Sequence, residues 1–233
     1  MKNKEPERNG SFSDADLAAD CDLRADHLEA HLPALQGEGM TAGMITEFRA
    51  ATLAFRRLPT EVNLSGLVTA AVDKRDAALE AARTGLRRAA KPLSRAFGDE
   101  SAEYRSLQVG EVSRKTVPQV LNLLLTVPGA GAPYVDDTQA KAEGFDKERL
   151  TALQPLYDDL FKKEAAVTAA ETAALKGTRA RVLAYNALNT TCSAYCARGY
   201  DHFVEQDETL TSLFVRHPAS QAPADDDETP PTA

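Results

Sequence analysis

Tryptophan is absent from the chain, aromatic residues make up only 6% of it, and cysteine occurs three times. With so few rings, leucine and alanine must supply most of the buried surface, which suits closely packed helices better than sheets. Alternating runs of β-branched residues bounded by turn residues are missing, and with them the usual sign of strands. Long apolar runs are missing too. The most apolar stretch, Val120-Leu121 and then Leu123 to Leu125 after Asn122, is far shorter than the about 20 residues a membrane span needs. The opening Met1 to Arg8 has no apolar segment of the kind a secretory signal carries. A cytoplasmic location is the expectation.

Catalytic motifs are equally scarce. There is no Gly-x-Ser-x-Gly, no phosphate-binding loop and no dinucleotide glycine pattern. Gly129-Ala130-Gly131 lies between prolines, not between a strand and a helix. Cys192 and Cys196 stand one helical turn apart, but a metal site needs two further ligands beside them, so small core residues are the simpler reading. His27 and His31 form another pair at helical spacing. Leu28 follows His27 where the zincin motif has glutamate, so solvent-facing polar residues at the edge of an apolar stripe are expected there. No catalytic residue, metal ligand or cofactor is assigned.

What the chain does contain is one helical pattern written twice, shifted by about 102 to 105 residues. Glu38-Gly39-Met40-Thr41 separates two apolar-periodic runs in the first half, and Glu143-Gly144-Phe145-Asp146 does so in the second. Each copy closes with a long alanine-rich stretch, ending at Phe97-Gly98-Asp99 and at Gly199-Tyr200-Asp201.

Ser13 is placed to cap a first helix whose stripe reads Leu17, Cys21, Ala25, Leu28, Leu32 and Leu35, with Pro33 bending or ending its last turn. Thr41 caps a second helix to about Arg57. A third runs from Asn63 or Ser65 to Phe97, with Leu79, Ala82, Leu86, Ala89, Leu93 and Phe97 on its core face and Pro92 bending its end. In the second copy a short helix covers Val117 to Thr126, and Val127 to Pro133 is expected to form a loop. A short helix from Asp136 to Glu143 follows, then one capped by Asp146 and interrupted at Pro155, then a long one from Lys163 to Arg198.

Charge is unevenly placed. From Ala81 to Gly98 the chain carries Arg83, Arg87, Arg88, Lys91 and Arg95 and no acid, four of them at spacings of four on one helix face. The first helix is the reverse, with Asp14, Asp16, Asp20, Asp22, Asp26 and Glu29 against Arg24 alone. Pairing between these two helices is the favoured reading, and an anion- or partner-binding face on the third helix is the other. A formal net charge of −8 argues against nucleic acid as the partner.

Ser13-Asp14-Ala15-Asp16-Leu17, Gly39-Met40-Thr41, Pro59-Thr60-Glu61, Lys74-Arg75-Asp76-Ala77, Tyr104-Arg105-Ser106-Leu107 and Asn186-Ala187-Leu188 occur in an order that resembles a family of uncharacterised bacterial helical proteins with a two-copy layout. The resemblance spans roughly residues 13 to 203 and implies shape alone, because that family has no assigned activity to carry over.

The expected architecture is all-α: a bundle of about six helices in two similar three-helix units. Residues 1–11 form a flexible N-terminus, 12–100 the first unit, 101–216 the second, packed on the first, and 217–233 a disordered acidic tail around Asp225-Asp226-Asp227-Glu228. The expected role is non-enzymatic binding or scaffolding through helix faces, with a protein partner or a second copy of the chain. A helical enzyme or metal binder is the alternative.

Overall fold

The computed structural model describes residues 6–216, so the tail expected over 217–233 and the first five residues lie outside the described part. All regular structure among the described residues is helical. None of these helices is long and apolar enough to cross a membrane. Lengths depart from an even bundle, since one helix has 37 residues and another 51, while several have five or fewer. The chain divides into two compact units, one made of Met1–Glu61 with Lys176–Ala233 and the other of Val62–Leu175. One boundary therefore falls inside the region expected to be the first unit and the other inside the region expected to be the second.

In the first unit α1 spans Asp14–Ala30 and starts where the Ser13 side chain accepts the Asp16 amide. It buries Leu17, Ala18, Cys21, Arg24, Ala25 and Leu28. Pro33 ends nothing by itself. It sits in the first turn of α2 (Leu32–Leu35), where a missing N–H costs no hydrogen bond. Gly39 then takes a left-handed φ of 74°, and the Met40 amide bonds back to the Leu35 carbonyl. The Thr41 hydroxyl caps α3 (Ala42–Arg57), which buries Ile45, Phe48, Thr52 and Phe55. Thr52 satisfies its buried hydroxyl on the Phe48 carbonyl, 3.0 Å away.

Residues 176–203 of α9 (Leu153–Phe203) complete this core with Tyr185, Leu188, Cys192, Cys196 and Phe203. The short α10 (Glu208–Ser212) brings Phe214 onto Phe203, with ring centroids 5.8 Å apart. Part of the segment expected to be loose is held on α9. The Asn9 amide donates to Asn186 Oδ1 at 2.9 Å, and Tyr185 donates its hydroxyl to the Phe12 carbonyl.

In the second unit α4 (Glu61–Phe97, from Val62 onward) buries Ala78, Leu79, Ala82, Leu86, Ala89 and Leu93. Ser101 caps α5 (Ala102–Ser106), and Thr116 forms a capping box with Gln119 at the start of α6 (Val117–Gly131). The loop expected over 127–133 is a correction, since α6 runs straight through Pro128 and Gly129. Proline removes one hydrogen bond and strains one turn, but Val120, Leu123, Leu124 and Val127 are buried along one face, and that burial outweighs the local cost. Gly131 is needed for closeness, because a Cβ there would stand 3.0 Å from Leu150 and 3.1 Å from Phe145.

The capped α7 (Thr138–Ala142) ends at Gly144, again at a left-handed φ, 83°, and the Phe145 amide bonds back to the Ala140 carbonyl. Asp146 caps α8 (Lys147–Thr151). Residues 153–175 of α9 follow at once, so the break expected at Pro155 reduces to a single turn residue, Ala152. Pro155 lies in the first turn of α9, where its missing N–H is tolerated.

Candidate functional site

The basic stripe lies on α4, and its members differ in surroundings. Arg83 is drawn inward, pairing with Glu80 and donating from Nη2 to the Lys115 carbonyl at 2.6 Å. Arg87, Arg88, Lys91 and Arg95 are exposed. Arg87 reaches only the Thr84 hydroxyl, at 3.3 Å, and among the described residues none of these four has a carboxylate within ion-pair distance.

A further cation joins them for a local reason. Pro92 has no N–H to give the Arg88 carbonyl, and Arg149 donates Nη1 to that carbonyl at 3.4 Å. Arg149 Nε also bonds the Gly144 carbonyl at 2.7 Å, which fixes the guanidinium beside the stripe. The proline at position 92 was the one sequence signal for this contact.

Asp14, Asp20, Asp22, Asp26 and Glu29 of α1 pair with cations of the first unit, and not with the basic stripe of α4 as favoured from sequence. Asp14 pairs with Arg181 and Arg8, and Asp22 with Arg56 at 2.5 Å. Arg49 spans Asp26 and Glu29, at 2.7 Å each. Helical spacing gives each residue a face but not a neighbour, which is why the sequence could not choose among these arginines.

Asp20 is different because it is buried. Its Oδ1 accepts from Arg24 at 3.0 Å and its Oδ2 from Arg216 at 2.8 Å, and all three side chains are about one-tenth exposed. Arg24 also donates to the carbonyls of Leu213 and Val215, which ties the C-terminal segment onto α1. Arg216 Nη1 donates to Asn189 Oδ1 and Ser193 Oγ. An arginine inside an otherwise apolar stripe was the sequence sign of this network.

Cys21, Cys192 and Cys196 meet beside it, all buried and all free thiols. The thiols of Cys196 and Cys21 hydrogen-bond to Cys192, and these donors, helped by the Arg216 guanidinium, pull Cys192 down to about 4 against the effect of burial. Cys21 and Cys196 are pushed up, because each serves as donor to Cys192 and each is desolvated. Cys192 Sγ also lies 3.8 Å from Asp20 Oδ2, a contact that favours the protonated thiol. At that length it is the weaker influence.

His31 packs edge-on against the Phe203 ring, and partial burial, then Arg24, lowers the pKa of His27. Among the described residues no three His, Cys, Asp or Glu side chains are arranged to hold a metal ion. Two open cavities are lined mostly by carbon. One of about 480 Å3 in the second unit has Pro128, Ala132, Val135 and Leu150 in its wall, with Asp136 and Lys147 at its rim. The other, about 390 Å3 in the first unit, is walled by Ala51, Ala54, Phe55, Ala184 and Leu188.

Compared with protein-family models, curated proteins and solved structures, the chain matches none.

Proposed function

We propose that the chain is a non-enzymatic helical binding protein that docks an acidic protein segment on the basic face of α4. The observation that carries this reading is the set of exposed cations Arg87, Arg88, Lys91 and Arg95, which have no ion-pair partner among the described residues. Like charges three and four residues apart on a helix repel one another by a few tenths of a kcal/mol per pair, roughly. An anionic partner relieves that repulsion and adds charge-assisted hydrogen bonds, most strongly with arginine. A protein of net charge −8 repels a long polyanion, so a short acidic segment suits the face better than nucleic acid.

The test uses a fluorescent glutamate-rich peptide read by anisotropy, with a DNA duplex of equal charge as comparator. Binding should weaken steeply with salt. Reversing Arg87, Lys91 and Arg95 to Glu should abolish it while leaving the melting temperature unchanged or raised. Undiminished binding by that variant, or preference for the duplex, sinks the reading. A synthetic peptide of residues 219–233, which carries Asp225-Asp226-Asp227-Glu228, serves as competitor. Competition would point to a second copy of the chain as partner.

The reading also takes the chain as a cytoplasmic protein built of two copies of one three-helix unit, as in the bacterial family the sequence resembles. Three correspondences support the duplication. Gly39 and Gly144 share a left-handed stop, a buried residue next in line and a side-chain cap after that. Buried Ile45, Phe48 and Phe55 match Leu150, Leu153 and Leu160. Leu64, Ala82, Leu86, Ala89 and Leu93 match Val167, Tyr185, Asn189, Cys192 and Cys196, all buried. An experimental structure in which residues 39–98 and 144–200 fail to superpose in helix order and direction would reject it.

A further inference from the structure

The cavity of about 480 Å3 in the second unit has a stiff apolar wall. Pro128 contributes a closed ring and Ala132 a methyl group, and neither has a rotamer to change. Leu150 is buried and packs so closely on Gly131 that a Cβ there would stand 3.0 Å from its Cδ2. Val135 completes the carbon surface. Such a wall does not collapse into the space it bounds, and water gains little from touching it. A ligand that enters orders few side chains, so little of its binding energy is lost to entropy. The volume lies in the range of roughly 300–1,000 Å3 usual for small-molecule sites.

The polar groups around the cavity differ in what they have left to offer. Thr151 donates its hydroxyl to the Glu148 carbonyl at 3.0 Å, and Gln154 donates from Nε2 to Asp158 at 3.0 Å, so each spends a donor within its own helix. Asp136 is paired with Lys141 at 2.9 Å. Lys147 is exposed, and among the described residues no carboxylate lies within ion-pair distance of it. The unspent charge at the rim is therefore one ammonium.

We propose that this cavity binds a small monocarboxylic acid with an aliphatic body, its chain against Pro128, Val135 and Leu150 and its carboxylate on the Lys147 ammonium. One unpaired cation matches one negative charge through a charge-assisted hydrogen bond. Asp136 on the same rim disfavours a second negative charge. An amine-headed ligand would set like charge against Lys147, and an alcohol would leave the ammonium without a counter-ion. The ligand also differs in kind from the acidic segment proposed for α4, because the wall selects an apolar body that a run of glutamates lacks.

The test titrates the full-length protein with hexanoate, octanoate and decanoate in a calorimeter, with octanol and octylamine as matched comparators. The acids should bind at one site and tighten by about fourfold for each added methylene. Octylamine should bind more weakly than octanoate by about tenfold or more. Ala132→Phe places a ring in the cavity from an exposed position and should abolish octanoate binding. Lys147→Met should remove the preference for octanoate over octanol while keeping the gain with chain length. The wild-type comparison of acid with amine decides even where a variant folds poorly. Absence of binding by all three acids overturns the proposal. So does equal binding of octylamine, or undiminished octanoate binding by a folded Ala132→Phe protein.

Discussion

Gly199 of α9 faces the ring of Phe214 so closely that a methyl group on the glycine would lie 2.4 Å from the nearest ring carbon. Alanine in a helix interior normally stabilises by about 1 kcal/mol over glycine. Here the ring is also stacked on Phe203 and has little freedom to retreat. Gly199→Ala should therefore destabilise the protein by about 1–3 kcal/mol, the usual range for overpacking. Urea unfolding of the variant measures it, and a rise in midpoint would refute the contact.

Two other helical glycines give the opposite contrast. A Cβ on Gly66 meets nothing within 4 Å, whereas one on Gly85 would lie 2.2 Å from Leu156 Cδ1. Gly66→Ala should raise stability by about 0.5–1 kcal/mol. Gly85→Ala should not, since Leu156 must change rotamer. Thermal melts of the two variants, run side by side, check the pair.

Asp20 carries more energy than the other acids of α1. Removing it as Asp20→Ala leaves Arg24 and Arg216 buried without their counter-ion, an arrangement that costs about 3–5 kcal/mol when a buried pair is broken. Asp22→Ala breaks a pair whose side chains are 40% and 46% exposed, and should cost about 0–1 kcal/mol. Denaturant midpoints that fall equally for both variants would argue against the buried network.

Acid should weaken the first unit partly through His27. Burial and then the nearby Arg24 depress the folded pKa of this group below its ordinary value of 6.5. The unfolded chain therefore binds the proton more readily, so the stability contribution is present above the unfolded pKa and is lost as pH falls through the folded one. His27→Gln should flatten the decline in midpoint between pH 7.5 and pH 5, roughly the window in which histidine titrates. An unchanged slope would exclude His27 as the titrating group.

Helix starts were the most legible part of the sequence. Ser13, Thr41 and Asp146 cap where side-chain oxygen chemistry places them, and Gly39 and Gly144 stop helices through a φ that other residues resist. Prolines were the least legible. Pro33 and Pro155 fall in first turns, and Pro92 and Pro128 sit inside helices whose apolar faces are buried. Whether a proline ends a helix depends on what its far side packs against, and that is a tertiary fact. The same holds for the site. Spacing placed Arg87, Lys91 and Arg95 on one face, but it could not tell that α1's acids are satisfied by Arg49, Arg56, Arg181 and Arg216. Nor could it bring Asp20 to Cys192 and Arg216, far along the chain.

The first unit draws its wall from two stretches far apart in the chain, one before residue 62 and one after residue 175. A ribosome delivers those stretches far apart in time. When α1 and α3 emerge, the helix bearing Tyr185, Leu188, Cys192 and Cys196 has not been made, and Phe48, Phe55 and Leu28 have no surface to cover them. Residues 62–175 can collapse meanwhile, since α4 and α6 follow each other closely and share a core. Synthesis thus imposes an order in which the middle of the chain matures first and its opening segment waits for the last. At about 5–20 residues per second, that wait is on the order of ten seconds. A chaperone that shields apolar helices during translation should bind nascent chains stalled near residue 170 more than chains released whole.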